Sequence, residues 1–393
     1  MTSFDPAAAT AAYMATLSAA AHAKATAYTQ GGHWLLLWGW LVTVAAAFII
    51  VRSRLLARAG EAIERKRPHR VWASAATGAL FLVFDFVLEL PWEAYAHWWR
   101  EKQYGLTSQA LSGWLAEQAT GFAVSLLFVV LFLTLLYALI RCAPRTWWAW
   151  ASGLAVCAIV FMFAIGPVFI EPLFNTYTPA PNGPVRDAVV ALAKQAGVPY
   201  DKIYIYNGSK QSNRYTANVS GIGGTARVAM SDTMFAKGAD IAEVRGVVGH
   251  EMGHYKRGHL IWTVLVFSLL AAAAFWLTDR LFPYAANLLG ADVGGVADPA
   301  GLPVIAVIFA TLSLLSTPLL NTITRLEEAD ADSFSLQHAN EPDGLAKALV
   351  KTIEYRASSP SDMEELIFYD HPSVEHRVRK AMDWKAAHMG GAG

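Results

Sequence analysis

The chain has 393 residues, 55% of them hydrophobic and only 16% charged, against about 25% charged in ordinary soluble domains. Lysine plus arginine balances aspartate plus glutamate to a formal net charge of zero, so nothing in the charge points to nucleic acid. Cys142 and Cys157 lie in or beside apolar runs without metal-ligand spacing, and support neither a disulfide framework nor a cysteine metal site.

In chain order, SAAAHAK (18–24) has the small residues of a signal-peptide cleavage site. The start MTSFDP, however, has no basic residue and carries Asp5. A cleaved signal is rejected. Residues 6–28 read as a peripheral Ala-rich helix within an N-terminal segment 1–33. A membrane helix needs about 20 mostly apolar residues, and six runs qualify, at approximately 34–51, 71–90, 121–140, 147–170, 260–278 and 302–320. Trp34, Trp38, Trp72, Trp92, Trp147 and Trp148 gather near their ends, as an interfacial aromatic belt requires. The expected division is a four-span bundle over 34–170, a polar catalytic domain over 171–259, two spans over 260–320 and a helical region over 321–393. Asp85 and Glu89, one turn apart in the second run, either face a cavity or mark an early end of that span.

Within the polar region, VRDAVVALAKQAGV (185–198) has helical periodicity, whereas KIYIYNG (202–208) and TARVAM (225–230) read as strands. Asn207-Gly208 and the glycines at 221, 223 and 224 mark turns. The MGGAG tail (389–393) reads as frayed.

The chemistry concentrates in VVGHEMGHYKRGH (247–259). Positions i and i+4 share a helix face, so His250 and His254 can present imidazole nitrogens to one ion, while Glu251 at the edge of that face can act as general base without ligating. Gly249 and Gly253 are poor helix formers that permit another backbone to approach. His259, five after His254, has no helical reason to ligate and is assigned a structural or substrate-proximal place. A catalytic zinc wants a third protein ligand and an open position. RLEEADADSFS (325–335) has four acids in six positions. Arg325, Glu328, Asp332 and Ser335 share one face. That face offers Glu328 as metal ligand, Asp332 to hydrogen-bond a ligand imidazole, and Arg325 to hold the carboxylates. Small Ala331 beside it allows close approach to the histidine helix.

H-E-x-G-H followed by E-x-x-A-D, both next to membrane runs, resembles the integral-membrane CAAX prenyl protease family of zinc metallopeptidases. ELPWEAYAHWWREKQYGLTSQALSGWL (89–115), IEPLFNTYTPAPNGPVR (170–186), the run 202–235 and DHPSVEHRV (370–378) resemble further segments of that family, so the resemblance covers about residues 70–380. It implies an α-helical integral membrane protein of about six transmembrane helices with an inserted α+β zincin-type catalytic domain and one Zn2+ per chain. It places SNRYTANVSG (212–221) as the edge strand that holds substrate backbone. The family's substrate-contacting asparagine falls on Thr216, with Ala217 beside it and Asn218 as a stand-in. It matches His371 to a histidine facing the reacting carbonyl and Arg377 to an arginine that braces Glu328 and Asp332 or binds substrate.

The expected function is a membrane-embedded zinc metalloendopeptidase with Glu251 as general base and His371 helping to carry the oxyanion. Its partners are a membrane-associated peptide or protein and the lipid bilayer, with no nucleic acid. The Ala/Arg/Trp-rich composition suggests a bacterial inner membrane, which favours quality-control proteolysis over prenyl-peptide cleavage. The competing class is a transporter or receptor-like membrane protein with a structural zinc, for which Glu251 has no use. Orientation is open between two arguments. The basic loop 52–70 is cytoplasmic by the positive-inside rule, which puts 171–259 outside, whereas the resemblance implies a cytosol-facing catalytic domain. An amphipathic helix at 52–70 escapes the rule, and reporter fusions at 60 and 240 separate the two.

Overall fold

A computed structural model describes residues 4–66, 70–221, 225–235, 238 and 240–388. The turn glycines 223 and 224 and the 389–393 tail lie outside the described residues. The N-terminal Ala-rich stretch is two helices, α1 (Pro6–Met14) and α2 (Ala19–Ser53). Ser18 separates them: its backbone is extended and its hydroxyl accepts from Ala21 N at 3.2 Å, restarting the helix. Thereafter α2 runs unbroken through the first apolar run, so the boundary drawn at 33/34 falls inside a helix.

The basic stretch forms α3 (Leu55–Lys66), which lies along α4 (Arg70–Glu93) and buries Leu56. A π-helical turn carries α4 on into α5 (Arg100–Gln103), so this element does not end before Glu89. Glu89 accepts instead from Thr43 Oγ1 of α2 at 2.6 Å. Next come α6 (Leu111–Cys142), α7 (Trp147–Ile165) and α8 (Glu171–Phe174). The last two membrane-length helices are α11 (His259–Leu289) and α12 (Leu302–Ala339). All six apolar runs lie in helices long and apolar enough to cross a membrane. Each extends past its run, and α12 continues far beyond 320 with Pro318 inside it.

The polar insertion contains β1 (Tyr177–Pro179), α9 (Pro184–Ala196), β2 (Ile203–Tyr206), β3 (Ala217–Ser220), β4 (Arg227–Ser231) and α10 (Ile241–Arg257). The sheet order is β1-β2-β4-β3. β2 and β4 are parallel and the outer pairs antiparallel, so β3 is an edge strand. The three-residue β1 escaped the sequence, because it carries no periodic pattern, whereas β3 at the edge lies within the 212–221 segment that the resemblance implied as an edge strand. Gly221 ends β3 with φ of 92°, a conformation glycine adopts freely. The chain closes with α13 (Pro342–Lys351), α14 (Asp362–Phe368) and α15 (Val374–His388). A second core packs Ala25 of α2 with Leu345 and Leu349 of α13 and Val378 and Met382 of α15. The N-terminus and C-terminal helices therefore gather on the same side of the bundle as the catalytic domain.

Candidate metal centre and active site

Helical phase gives α10 three faces. Val244, Val248 and Met252 are fully buried against the sheet and α9. Gly246, Gly249 and Gly253 form a second stripe. A Cβ added there would stand 2.9 Å from Leu345 N, 2.9 Å from Ser335 Oγ and 3.0 Å from Ala331 Cα. Only glycine lets α12 and α13 come so close, and Ala331 is where the helices meet, as its size suggested. The third face carries His250, Glu251 and His254. Asp240 caps the helix, accepting from Ala242 N at 3.0 Å.

This close packing brings Glu328 of α12 to the two histidines. His250 Nε2 lies 3.1 Å from His254 Nε2 and 3.1 Å from Glu328 Oε2, and His254 Nε2 lies 3.2 Å from Glu328 Oε1. The outer partners decide which nitrogens carry protons. His250 Nδ1 lies 2.9 Å from Asp332 Oδ1; an ionised carboxylate only accepts, so Nδ1 donates and Nε2 keeps its lone pair. His254 Nδ1 lies 2.9 Å from His259 Nδ1, and His259 Nε2 lies 3.2 Å from Asp330 Oδ2. His259 Nε2 donates to Asp330, His259 Nδ1 accepts from His254 Nδ1, and His254 Nε2 is left with a lone pair. Two imidazole lone pairs and a carboxylate thus converge in one spot. A cation between them reconciles this arrangement, and Glu328 Oε2 is buried without a donor of its own. A tetrahedral ion with bonds of about 2.0–2.2 Å sets its ligands roughly 3.3–3.6 Å apart, a few tenths of an ångström beyond the spacings found. The residues fit a metal.

His259 is the residue that the sequence pattern undervalued. Gly258, at φ of 69°, ends α10 in the left-handed conformation and turns the chain so that the first residue of α11 folds back onto His254. That glycine after Lys256-Arg257, with an aspartate two residues past Glu328, was the available signal. Histidine ligands without their outer hydrogen-bond partner typically lose 10–100-fold in metal affinity. His259→Ala is expected to weaken binding by about that factor in a chelator competition. Unchanged affinity would remove His259 from this relay.

Asp332 is 1% exposed and is gripped by Arg377 of α15, whose Nε and Nη2 donate to its two oxygens at 2.8 and 2.7 Å. Arg325, expected to hold the carboxylates from the same helix face, does not reach them. It donates to the Glu365 and Tyr369 carbonyls and to Thr322 Oγ1. It thereby ties α12 to the segment leading to His371. A guanidinium one turn before Glu328 points back along the helix toward its N-terminus, leaving the carboxylates to an arginine from elsewhere.

A cleft of about 220 Å3 is lined by Tyr215, Thr216, Ala217, Glu251, Glu328 and His371 among others. His371 Nε2 lies 3.2 Å from Glu328 Oε1, and its Nδ1 is held by Asp370 Oδ1 at 2.8 Å. Burial pushes the Glu251 carboxyl above the ordinary glutamate range, with His250 and His254 pulling the other way. A raised carboxyl is better matched to proton transfer near neutral pH. Thr216 and Ala217 reach the cleft, but Asn218 does not line it. The Asn218 Oδ1 is buried without a partner.

Similar proteins are found by family, by sequence and by fold. The family profile described as Peptidase family M48 matches residues 179–385, and that described as CAAX prenyl protease N-terminal, five membrane helices, matches 6–176. Four of the membrane-length helices among the described residues fall in the latter range. The metalloprotease YhfN of Bacillus subtilis is 30% identical over 330 residues, 79% of this chain and 76% of that one. CAAX prenyl protease 1 of Saccharomyces cerevisiae is 26% identical over 324 residues, 76% and 69% of the two chains. In fold, the chain is similar to the crystal structure of S. mikatae Ste24p, with a TM-score of 0.77 at 20% identity, covering 94% of this chain and 90% of that one.

Proposed function

The chain belongs to peptidase family M48 as a multi-pass membrane metallopeptidase, and on that premise we propose that it uses zinc to cut membrane-anchored, lipid-linked peptides. The observation that carries the reading is the convergence of lone pairs from His250, His254 and Glu328 beside Glu251 in one cleft. Two imidazoles and a carboxylate at tetrahedral spacing suit zinc among the common ions. Bound there, the ion supplies Lewis-acid polarisation of the scissile carbonyl and acidifies water.

The remaining roles belong to the protein. The free edge of β3 takes an extended peptide by main-chain hydrogen bonds. Glu251 accepts the proton of the attacking water and returns it to the leaving amine. His371 is oriented through Nδ1 by Asp370, and in its imidazolium form, with a second proton on Nε2, it donates a hydrogen bond to the oxyanion. Asp332 and Arg377 hold His250 in register. Lipid-linked substrates are supported by the relatives named CAAX prenyl protease and by a cleft whose metal-binding helices are continuous with, or adjoin, membrane-length helices.

The test is cleavage of a farnesylated CAAX peptide beside its unprenylated twin, using protein of known zinc content. Cleavage confined to the prenylated peptide supports the proposal. Equal cleavage of both, or of a loosely folded protein alone, overturns the lipid-linked part and leaves quality-control proteolysis.

A further inference from the structure

We infer that Arg214 is a positioning residue for peptide hydrolysis: through Glu101 and Tyr28 it fixes the approach to the substrate-holding strand β3 onto the membrane helices, and so sets where a peptide on that strand lies relative to the metal. The inference deepens the peptidase reading and rests on it. The need for such a fixing lies in the strand itself. β3 has four residues and pairs on one side only, with β4. Thr216 O accepts from Ser231 N at 2.9 Å, so in the antiparallel ladder Thr216, Asn218 and Ser220 turn their main-chain groups to β4. Ala217 and Val219 turn theirs to the open edge. A bound peptide therefore lies wherever these two residues stand, and Ala217 lines the catalytic cleft.

The segment that leads into β3 is held from the membrane side. Gln211 O accepts from Thr107 Oγ1 at 2.6 Å, Asn213 N donates to Leu106 O at 2.8 Å, and Asn213 Nδ2 donates to Gly105 O at 3.0 Å. Gly105, Leu106 and Thr107 directly follow α5, the continuation of α4. On the sheet side, Thr233 Oγ1 donates to Arg214 O at 2.7 Å. The Arg214 side chain closes this splint. Its Nη2 lies 2.8 Å from Glu101 Oε2 and donates to the Tyr28 hydroxyl oxygen at 2.9 Å, while the Tyr28 hydroxyl donates to the other Glu101 oxygen. Side chains from α2, from α5 and from the approach to β3 thus share one carboxylate, and Glu101 is only 9% exposed. The Arg214 guanidinium carbon also stands 5.0 Å from the ring centre of Tyr355, which lines the cleft. The three residues after Arg214, namely Tyr215, Thr216 and Ala217, line it as well.

A buried ion pair often stabilises a fold no better than apolar side chains of the same size. What the node supplies is place: a planar guanidinium meets two oxygen partners in one orientation only. Displacing reacting groups by 1 Å can cost about 10²-fold in rate, so a short edge strand beside a metal gains from a rigid attachment. The attachment joins two frames. α2 and α4 are of membrane length and adjoin the lipid part of a lipid-linked substrate, whereas the peptide backbone lies on β3. Tyr28, Glu101 and Arg214 hold these frames at one offset.

The test uses full-length, metal-loaded protein in nanodiscs with a farnesylated CAAX peptide. Arg214→Met is expected to lower kcat per bound metal by roughly tenfold or more while KM moves by less than about threefold, because the groups that bind the peptide remain and only their placement is lost. Arg214→Lys, which keeps a cation for Glu101, should recover part of kcat. An Arg214→Met/Glu101→Gln double variant should lose no more than Arg214→Met alone, since the two residues act as one unit. Should Arg214→Met lose its metal, Glu101→Gln carries the test. Hydrogen exchange of the substrate-free proteins reads the attachment without catalysis: amides over 213–220 should exchange faster in Arg214→Met while those of α10 keep their protection. Unchanged exchange over 213–220 overturns the inference, whatever the activity. So does faster exchange with unchanged kcat per bound metal, which makes the node a support of the fold alone. In both cases hydrolysis by wild-type protein keeps the peptidase reading, whereas a wild-type protein that cuts nothing ends that reading and the positioning role with it.

Discussion

Glu251→Gln is expected to keep its metal and lose turnover by about 10²–10⁴-fold, the usual contribution of a positioned general base. The two parts of this result follow from one geometric fact. Glu251 shares α10 with both histidines but stands outside the set formed by His250, His254 and Glu328. Removing its charge therefore leaves the converging lone pairs intact. What is lost is the acceptor for the water proton, because an amide oxygen is far too weak a base. Metal analysis beside single-turnover kinetics checks both halves. Loss of metal together with activity would make Glu251 a ligand. Retained activity would take the base away and favour a structural metal site in a protein of another class.

The largest effect on stability is expected from Arg377→Met. Arg377, Asp332 and Glu328 are 7%, 1% and 6% exposed, and Arg377 Nη2 is also 3.5 Å from Glu328 Oε2. Removing one partner of a buried pair leaves the other charge uncompensated, typically at about 3–5 kcal/mol. The metal-free protein should show this most, because a bound cation offsets part of the stranded charge. A Asp332→Asn/Arg377→Met double variant should be less damaged than the sum of its singles, since it strands no carboxylate at 332. Thermal unfolding with and without chelator measures all three proteins. Additive losses would mean that the guanidinium packs there without compensating anything.

The parts of the site legible in the sequence are those governed by local phase. His250, Glu251 and His254 follow from i, i+4 spacing, and Glu328 with Asp332 from the next helix's face. What lay beyond reach depends on segments distant in sequence. Arg377 comes from another helix, 45 positions from Asp332, and only family resemblance pointed to it; phase alone chose Arg325, whose side chain runs the wrong way. His259 was visible but was given only a structural or substrate-proximal place, because its position depends on the reversal at Gly258. Asn218, named as a stand-in on the resemblance, does not line the cleft that Thr216 and Ala217 reach. The membrane spans were readable as apolar runs, but their ends were not, since helices continue through polar sequence wherever packing supports them.

That continuity has a mechanical consequence. α12 has 38 residues, or about 57 Å at 1.5 Å per residue, nearly twice the roughly 30 Å of a bilayer's hydrocarbon core. One end is seated in lipid and the other carries Glu328 and Asp332. The helix is a lever, with Pro318 interrupting its hydrogen bonding near the point where it leaves the apolar layer. A helix adapts to bilayer thickness chiefly by tilting, and on a rigid arm a small tilt becomes a displacement at the far end. The histidines ride on α10, a separate helix joined to the membrane-length α11 through the turn at Gly258. The thickness of the surrounding membrane is therefore a load on the distance between a carboxylate and two imidazoles.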